Sequence, residues 1–164
     1  NVASRLETAA KPGSILISEE RGVRHLHFGS RWVQGAMRIA RPWSLEIEYT
    51  RQMMMPLALR PGRGWPASVL QVGLGAASVT RFLHRHRPRA RITVVEILPE
   101  VVAAARQFFK LPDESAHLRI EIADAHDWLA TAVPRDTEDR VMRLFGLAWT
   151  GGSREELGSA SADL

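Results

Sequence analysis

From Ser68 onward the chain alternates short apolar runs with helical periodicity three times: "SVLQV" then "SVTRFLHRH", "RITVVEI" then "PEVVAAARQFFK", "LRIEIA" then "DAHDWLATA". Parallel strands covered on both faces read as nearly continuous apolar runs, and parallel neighbours need a crossover, usually a helix. Strand-helix alternation with short connections therefore restricts this part to an α/β fold, a doubly wound parallel sheet with right-handed crossovers. Pro99 stands at a first helical position, and Val102, Ala105, Arg106 and Phe109 recur at helical spacing behind it.

Upstream the period is two. "SILIS" and "VRHLHF" flank "EERG", whose Gly22 suits a hairpin turn, and "RWVQGAM" follows Gly29 as a third strand. His25 and His27 fall on one strand face, but without a third ligand nearby they read as surface residues, not a metal site. "PWSLEIEYTRQMMMPLALRPG" then predicts one helix, with Ser44 as N-cap, Glu46 and Glu48 in the first turn and a kink at Pro56. The Gly- and Pro-rich "RPGRGWPA" reads as a linker. It divides the chain into residues 1–66, an N-terminal β-hairpin segment plus helix, and residues 67–164, an incomplete Rossmann-like domain.

The 164 residues contain no 18-residue apolar run, and "NVASRLETAAKPGS" has no apolar signal-peptide core, so no membrane partner is expected. That start lacks Met and reads as the end of a fragment or processed product. The absence of cysteine excludes disulfides and thiolate metal sites, and a cytoplasmic location is the expectation. The net charge of +4 is carried by arginine, since Lys11 and Lys110 are the only lysines. Arg81, Arg85, Arg87, Arg89 and Arg91 crowd "RFLHRHRPRARI" and read as a solvated helix end complementing the helix dipole. Phe82 is the only phenyl or indole ring among them, too little to stack bases, so nucleic acid is not indicated as a partner.

Three features converge on one ligand crevice. In "VGLGAAS", Gly73 and Gly75 let the backbone approach a ligand at a helix N-terminus, although Ser78 stands where a third glycine would be. Glu96 ends the second strand 21 residues after Gly75, where an acid accepts hydrogen bonds from both ribose hydroxyls. Asp124 ends the third strand, where it can accept from an adenine amino group or cap the next helix. Open α/β sheets bind ligands at this carboxyl edge, and a small-molecule nucleoside is the expected partner.

These residues resemble the polyamine aminopropyltransferase (spermidine synthase-like) family, built on a Rossmann fold of the S-adenosylmethionine type behind an N-terminal β-hairpin domain. The family's G-G-G-D-G-G turn corresponds to Gly73, Leu74, Gly75, Ala76, Ala77 and Ser78. Its second-strand acid matches Glu96, and its G-D-G or G-D-A motif matches Ala123, Asp124 and Ala125. Its D-E-x-x-Y-H-E stretch is similar to "LEIEYTR", at Glu46 and Tyr49. The likeness runs over roughly residues 14–130. It implies that Gly73, Gly75, Ala76, Glu96, Asp124 and Ala125 hold decarboxylated S-adenosylmethionine, or S-adenosylmethionine, as a co-substrate that is not covalently bound. It also implies that Tyr49 meets the acceptor substrate.

The departures bear on catalysis. Ala76 replaces the turn aspartate and Thr50 the histidine beside Tyr49. The family's remaining essential acid follows the fourth strand; here Val141–Leu147 is the candidate strand, and Ala148, Trp149 and Thr150 follow it. No residue is assigned a catalytic role. A truncated or frame-altered product, or a degenerate relative, has this form. Stopping near the fourth strand leaves a sheet edge open, to be covered by a second copy or by the tail, whose small polar residues read as disordered. The expected function is a spermidine synthase-like nucleoside binder impaired in catalysis. Two alternatives are an S-adenosylmethionine-dependent small-molecule methyltransferase and a non-catalytic binding or scaffold module.

Overall fold

The structure, a computed structural model, describes residues 14–29, 32–59, 64–132 and 141–145. It opens with an antiparallel meander, β1 (Ile15–Glu20), β2 (Val23–Phe28) and β3 (Val33–Arg38), in the order β1-β2-β3. The β1–β2 turn takes two positive φ angles, 50° at Arg21 and 75° at Gly22, so the hairpin expected from Gly22 forms. Two consecutive left-handed residues match the twist of the flanking strands. His25 and His27 do share a face, their rings 6.3 Å apart, and His27 shares a hydrogen bond with Ser18.

The single helix expected from Ser44 is corrected to two short ones, α1 (Glu48–Met53) and α2 (Met55–Leu59). Ile47, not Ser44, is the N-cap of α1. The Ser44 amide instead closes a turn onto the Arg41 carbonyl, 2.9 Å away. The cause is tertiary: Glu46 is held outside the helix by a two-pronged ion pair with Arg38, at 2.9 and 2.6 Å. Only Glu48 remains in the first turn. Pro56 breaks the run as expected, with the interruption at Met54.

The strand-helix alternation folds as the period demands, through β4 (Ser68–Val72), α3 (Ser78–His86), β5 (Arg91–Glu96), α4 (Pro99–Phe108), β6 (Leu118–Ile122) and α5 (Ala125–Ala132). A last strand, β7 (Val141–Phe145), completes a four-stranded sheet in the order β6-β5-β4-β7, every pair parallel. Its register, Ser68 beside Val141 through Val72 beside Phe145, puts the candidate fourth strand where the fold requires it. The residues after it, including Ala148 to Thr150, lie outside the described residues.

Val69, Ile92, Val94 and Leu118 of the sheet pack with Val79 and Leu83 of α3 and Val101, Val102 and Ala105 of α4 in the main core. A second cluster joins the N-terminal sheet to this unit through Leu26, Met37, Ala76 and Phe109. Gly35 makes the closest approach. A methyl group there would lie 2.5 Å from the Ala76 Cβ, well inside contact distance. Beside it the Ser78 hydroxyl donates to the Ala36 carbonyl at 2.8 Å. We expect Gly35→Ala to cost about 1–3 kcal/mol by overpacking, measurable as a lower urea midpoint with unchanged m. An unchanged midpoint would mean that β3 and the glycine turn do not pack this tightly.

Arg81 corrects the reading of the basic block as a solvated helix end. It is 3% exposed, a length of charged side chain sunk among three segments. Its Nε donates to the Pro42 carbonyl at 2.6 Å, and its Nη1 to the carbonyls of Ala76 and Phe109. Burial lowers its pKa to about 10, so it remains charged at neutral pH. Arg85, Arg89 and Arg91 are exposed, as expected of that block.

Candidate nucleoside site

Because β4, β5 and β6 are parallel, their carboxyl ends share one edge, and the expected ligand residues leave the sheet there. Gly73 and Gly75 take φ angles of 80° and 53°, the left-handed conformations for which glycine is suited. Ala77, at a position where the family carries glycine, also sits at φ 54° and caps α3 without a side-chain acceptor. The turn is fixed from below by Gln71, a polar residue inside the buried strand. Its amide donates to the Gly73 carbonyl at 2.8 Å and accepts from Thr80 at 2.9 Å. Neither Gln71 nor Thr80 stood out in the sequence, although a lone glutamine in "VLQV" is the signal that marks them.

Glu96 lies at the centre. It is 7% exposed, and its two carboxylate oxygens accept the Leu74 amide at 2.8 Å and the Leu98 amide at 3.0 Å. One side chain thus ties the glycine turn to the start of α4, while its main-chain carbonyl accepts the Ala123 amide at 3.1 Å. Each carboxylate oxygen retains acceptor capacity beyond the one amide it holds.

Asp124 is exposed and caps α5: one oxygen accepts the amides of His126, at 2.8 Å, and Asp127, at 3.4 Å. Its second oxygen has no hydrogen-bond partner among the described residues. Ala125 opens α5 beside it. Glu96 is the register partner of Ile122, and Ile122, Ile97 and Leu98 are exposed at 56%, 57% and 44%. Three large apolar side chains are thus left exposed near the carboxyl ends of β5 and β6. The sequence reading did not single them out; large apolar residues within two positions of each strand-end acid, Ile97 and Leu98 after Glu96 and Ile122 before Asp124, were the available sign.

The remaining expected residues lie elsewhere in this neighbourhood. Ala76 is buried against Leu26, Met37 and Phe109, beneath β3. Tyr49 is exposed on α1, its hydroxyl donating to the Gln34 carbonyl at 3.4 Å, next to Gly35. Partial burial raises its pKa. Thr50 is buried and turned inward onto the Ile47 carbonyl at 2.5 Å. Glu46 is paired with Arg38 and Glu48 with Arg51, so neither acid beside Tyr49 is left uncompensated.

No family model matches the chain. It is 40% identical over 113 residues to a polyamine aminopropyltransferase of Chromobacterium violaceum, covering 69% of this chain and 42% of that protein. A polyamine aminopropyltransferase of Neisseria meningitidis serogroup A matches over the same length at 38%. The chain therefore spans less than half the length of these relatives. A shorter segment of 66 residues is 38% identical to the human eEF1A lysine and N-terminal methyltransferase, covering 40% of this chain and 9% of that protein. Among solved structures, a probable spermidine synthase from Corynebacterium glutamicum superposes with a TM-score of 0.63 at 20% identity, covering 79% of this chain and 47% of that one. The sequence identity over 113 residues and the superposition point the same way: this chain is similar to the spermidine synthase-like polyamine aminopropyltransferases.

Proposed function

We propose that the chain binds a nucleoside of the decarboxylated S-adenosylmethionine type at the carboxyl edge of β4, β5 and β6, and that in this form it is impaired in aminopropyl transfer. The observation that carries the reading is Glu96, which joins the glycine turn to α4 beside Asp124. Glu96 accepts the ribose hydroxyls and Asp124, through its uncapped oxygen, the adenine amino group. Ile97 and Ile122 supply apolar faces for the base, and the left-handed Gly73 and Gly75 let the backbone come close. Ala76 and Ala125 contribute small size, and Tyr49 borders the acceptor side. The co-substrate is bound non-covalently, and the setting is cytoplasmic polyamine chemistry. Among the described residues no helix is long and apolar enough to cross a membrane. A second copy covering the β7 edge is the matching proposal for assembly.

Methyl transfer from S-adenosylmethionine is a second reading, favoured by the 38% identity to the eEF1A methyltransferase over 66 residues. The β1–β3 sheet and the Tyr49 stretch favour the first, since both lie in the order that the aminopropyltransferase resemblance implies.

Calorimetry with methylthioadenosine, S-adenosylmethionine and its decarboxylated form separates these readings. We expect saturable binding of methylthioadenosine, weakened about ten- to a hundredfold by Glu96→Gln, since a lost charged hydrogen bond is worth roughly 1.5–3 kcal/mol. The variant also removes an acceptor from one of two amides, so binding is measured well below its own melting temperature. Equal affinity in parent and variant would overturn the ribose assignment. No binding by the folded parent would leave a sheet kept for packing alone.

A further inference from the structure

A hollow of about 460 Å³ is lined by Trp43, Arg81, His84, Arg85 and Lys110 together with three prolines, and none of Gly73, Gly75, Glu96 and Asp124 lines it. Lys110 lies past the far end of α4, about 15 Å along the helix from Pro99 at the crevice edge. The lining contains four nitrogen-bearing basic side chains and no carboxylate.

That imbalance is local. Arg24, Arg38, Arg51, Arg106 and Arg119 each pair with a glutamate. Arg81, Arg85 and Lys110 have no ion pair among the described residues. Arg81 is the most demanding of them, because a buried charge needs compensation. Its hydrogen bonds go to neutral carbonyls, and its Nη2 is buried with no hydrogen-bond partner among the described residues.

Two features hold the other cations in place. The Arg85 guanidinium lies over the Trp43 ring, 5.1 Å from its centroid, in a cation–π contact that keeps it beside the hollow. Lys110 adopts φ 48°, a left-handed conformation unusual for lysine, at the reversal where the Leu111 amide returns to the Ala105 carbonyl. The Phe109 carbonyl just before it accepts from Arg81, so the same reversal brings Lys110 next to the buried guanidinium.

We infer that this hollow binds a phosphate-bearing small anion, with the phosphate between Lys110, Arg85 and the Arg81 floor and any organic body against Trp43. Guanidinium and ammonium groups together suit a phosphate better than a single carboxylate, because they offer both fork-shaped and point-charge donors. The volume exceeds that of bare phosphate and leaves room for an organic group beside the indole.

The inference is independent of the nucleoside reading and is tested with different ligands. Inorganic phosphate and phenyl phosphate are titrated calorimetrically into the full chain at fixed ionic strength, which removes unspecific screening effects. Saturable binding is expected. Tighter binding of phenyl phosphate would identify an organic ester as the source, and equal binding would identify free phosphate. The double variant Arg85→Gln with Lys110→Asn keeps the left-handed position tolerable and is expected to weaken phosphate binding at least tenfold. Its urea midpoint should stay within the range of a surface substitution, a readout that reports an intact fold without relying on the nucleoside site. Absence of saturable phosphate binding by the parent, or equal affinity in the double variant, would overturn the inference.

Discussion

Incubated with decarboxylated S-adenosylmethionine and putrescine, the purified chain is expected to form spermidine about 10²–10⁴ more slowly than an ordinary enzyme turning over near 1 s⁻¹. In this reaction a neutral amine nitrogen attacks the methylene carbon beside the sulfonium. The carbon–sulfur bond breaks, methylthioadenosine departs, and the new ammonium gives its proton to a base. A diamine dication must also be held by carboxylates. Ala76 and Thr50 supply neither function, and both are buried. Glu46 and Glu48 are paired with Arg38 and Arg51, and the remaining acceptor capacity of Glu96 and Asp124 goes, on the proposed reading, to the nucleoside. From the described residues at this edge, what remains is proximity, which is why slow residual transfer is expected and not zero. Mass spectrometry of spermidine over time gives the rate, with methylthioadenosine binding as the control for a folded chain. Turnover of about 1 s⁻¹ or more would sink the reading of impaired catalysis and require a base beyond these residues.

The parallel sheet was legible because its signals are local and repeated. The switch from period two to strand-helix alternation at Ser68 predicted β4 to β6, and Pro99 at the start of α4 marked that helix to the residue. Glu96 and Asp124 could be placed at strand ends because the apolar runs before them end where the carboxylates begin. What failed was what depends on distant partners. Ser44 is a favoured N-cap residue ahead of two glutamates, yet the N-cap falls three residues later, at Ile47, because Arg38, on a different element, holds Glu46 back. Arg81 sits in a run of arginines and was grouped with them by charge. Its acceptors come from Pro42, Ala76 and Phe109, which no local pattern connects to it. The double role of Glu96, as a clamp on the Leu74 amide and a candidate ribose acceptor, likewise needed the turn to be seen in space.

Arg81→Met is expected to destabilise the chain by about 3–5 kcal/mol, enough to unfold much of a marginally stable domain at room temperature. Methionine can fill the channel left by the aliphatic stem, so the loss falls on the guanidinium contacts. Three carbonyls, a part-buried one on the β3–α1 connection and buried ones in the glycine turn and at the end of α4, lose a charged donor together. Against this, removing a buried charge whose Nη2 has no partner relieves a desolvation cost, and that keeps the net effect from being larger. Arg81→Lys should recover little, because one ammonium cannot reach in the three directions that the planar guanidinium spans. Urea unfolding of both variants measures the effect, and native-state hydrogen exchange locates it. Protection should fall first at the amides of Ala77 and Phe109, next to the released carbonyls, and only later at β5, in the middle of the sheet. If Arg81→Lys were as stable as the parent, a point charge would suffice and the three-way carbonyl contact would not be what holds the N-terminal sheet against α3 and α4.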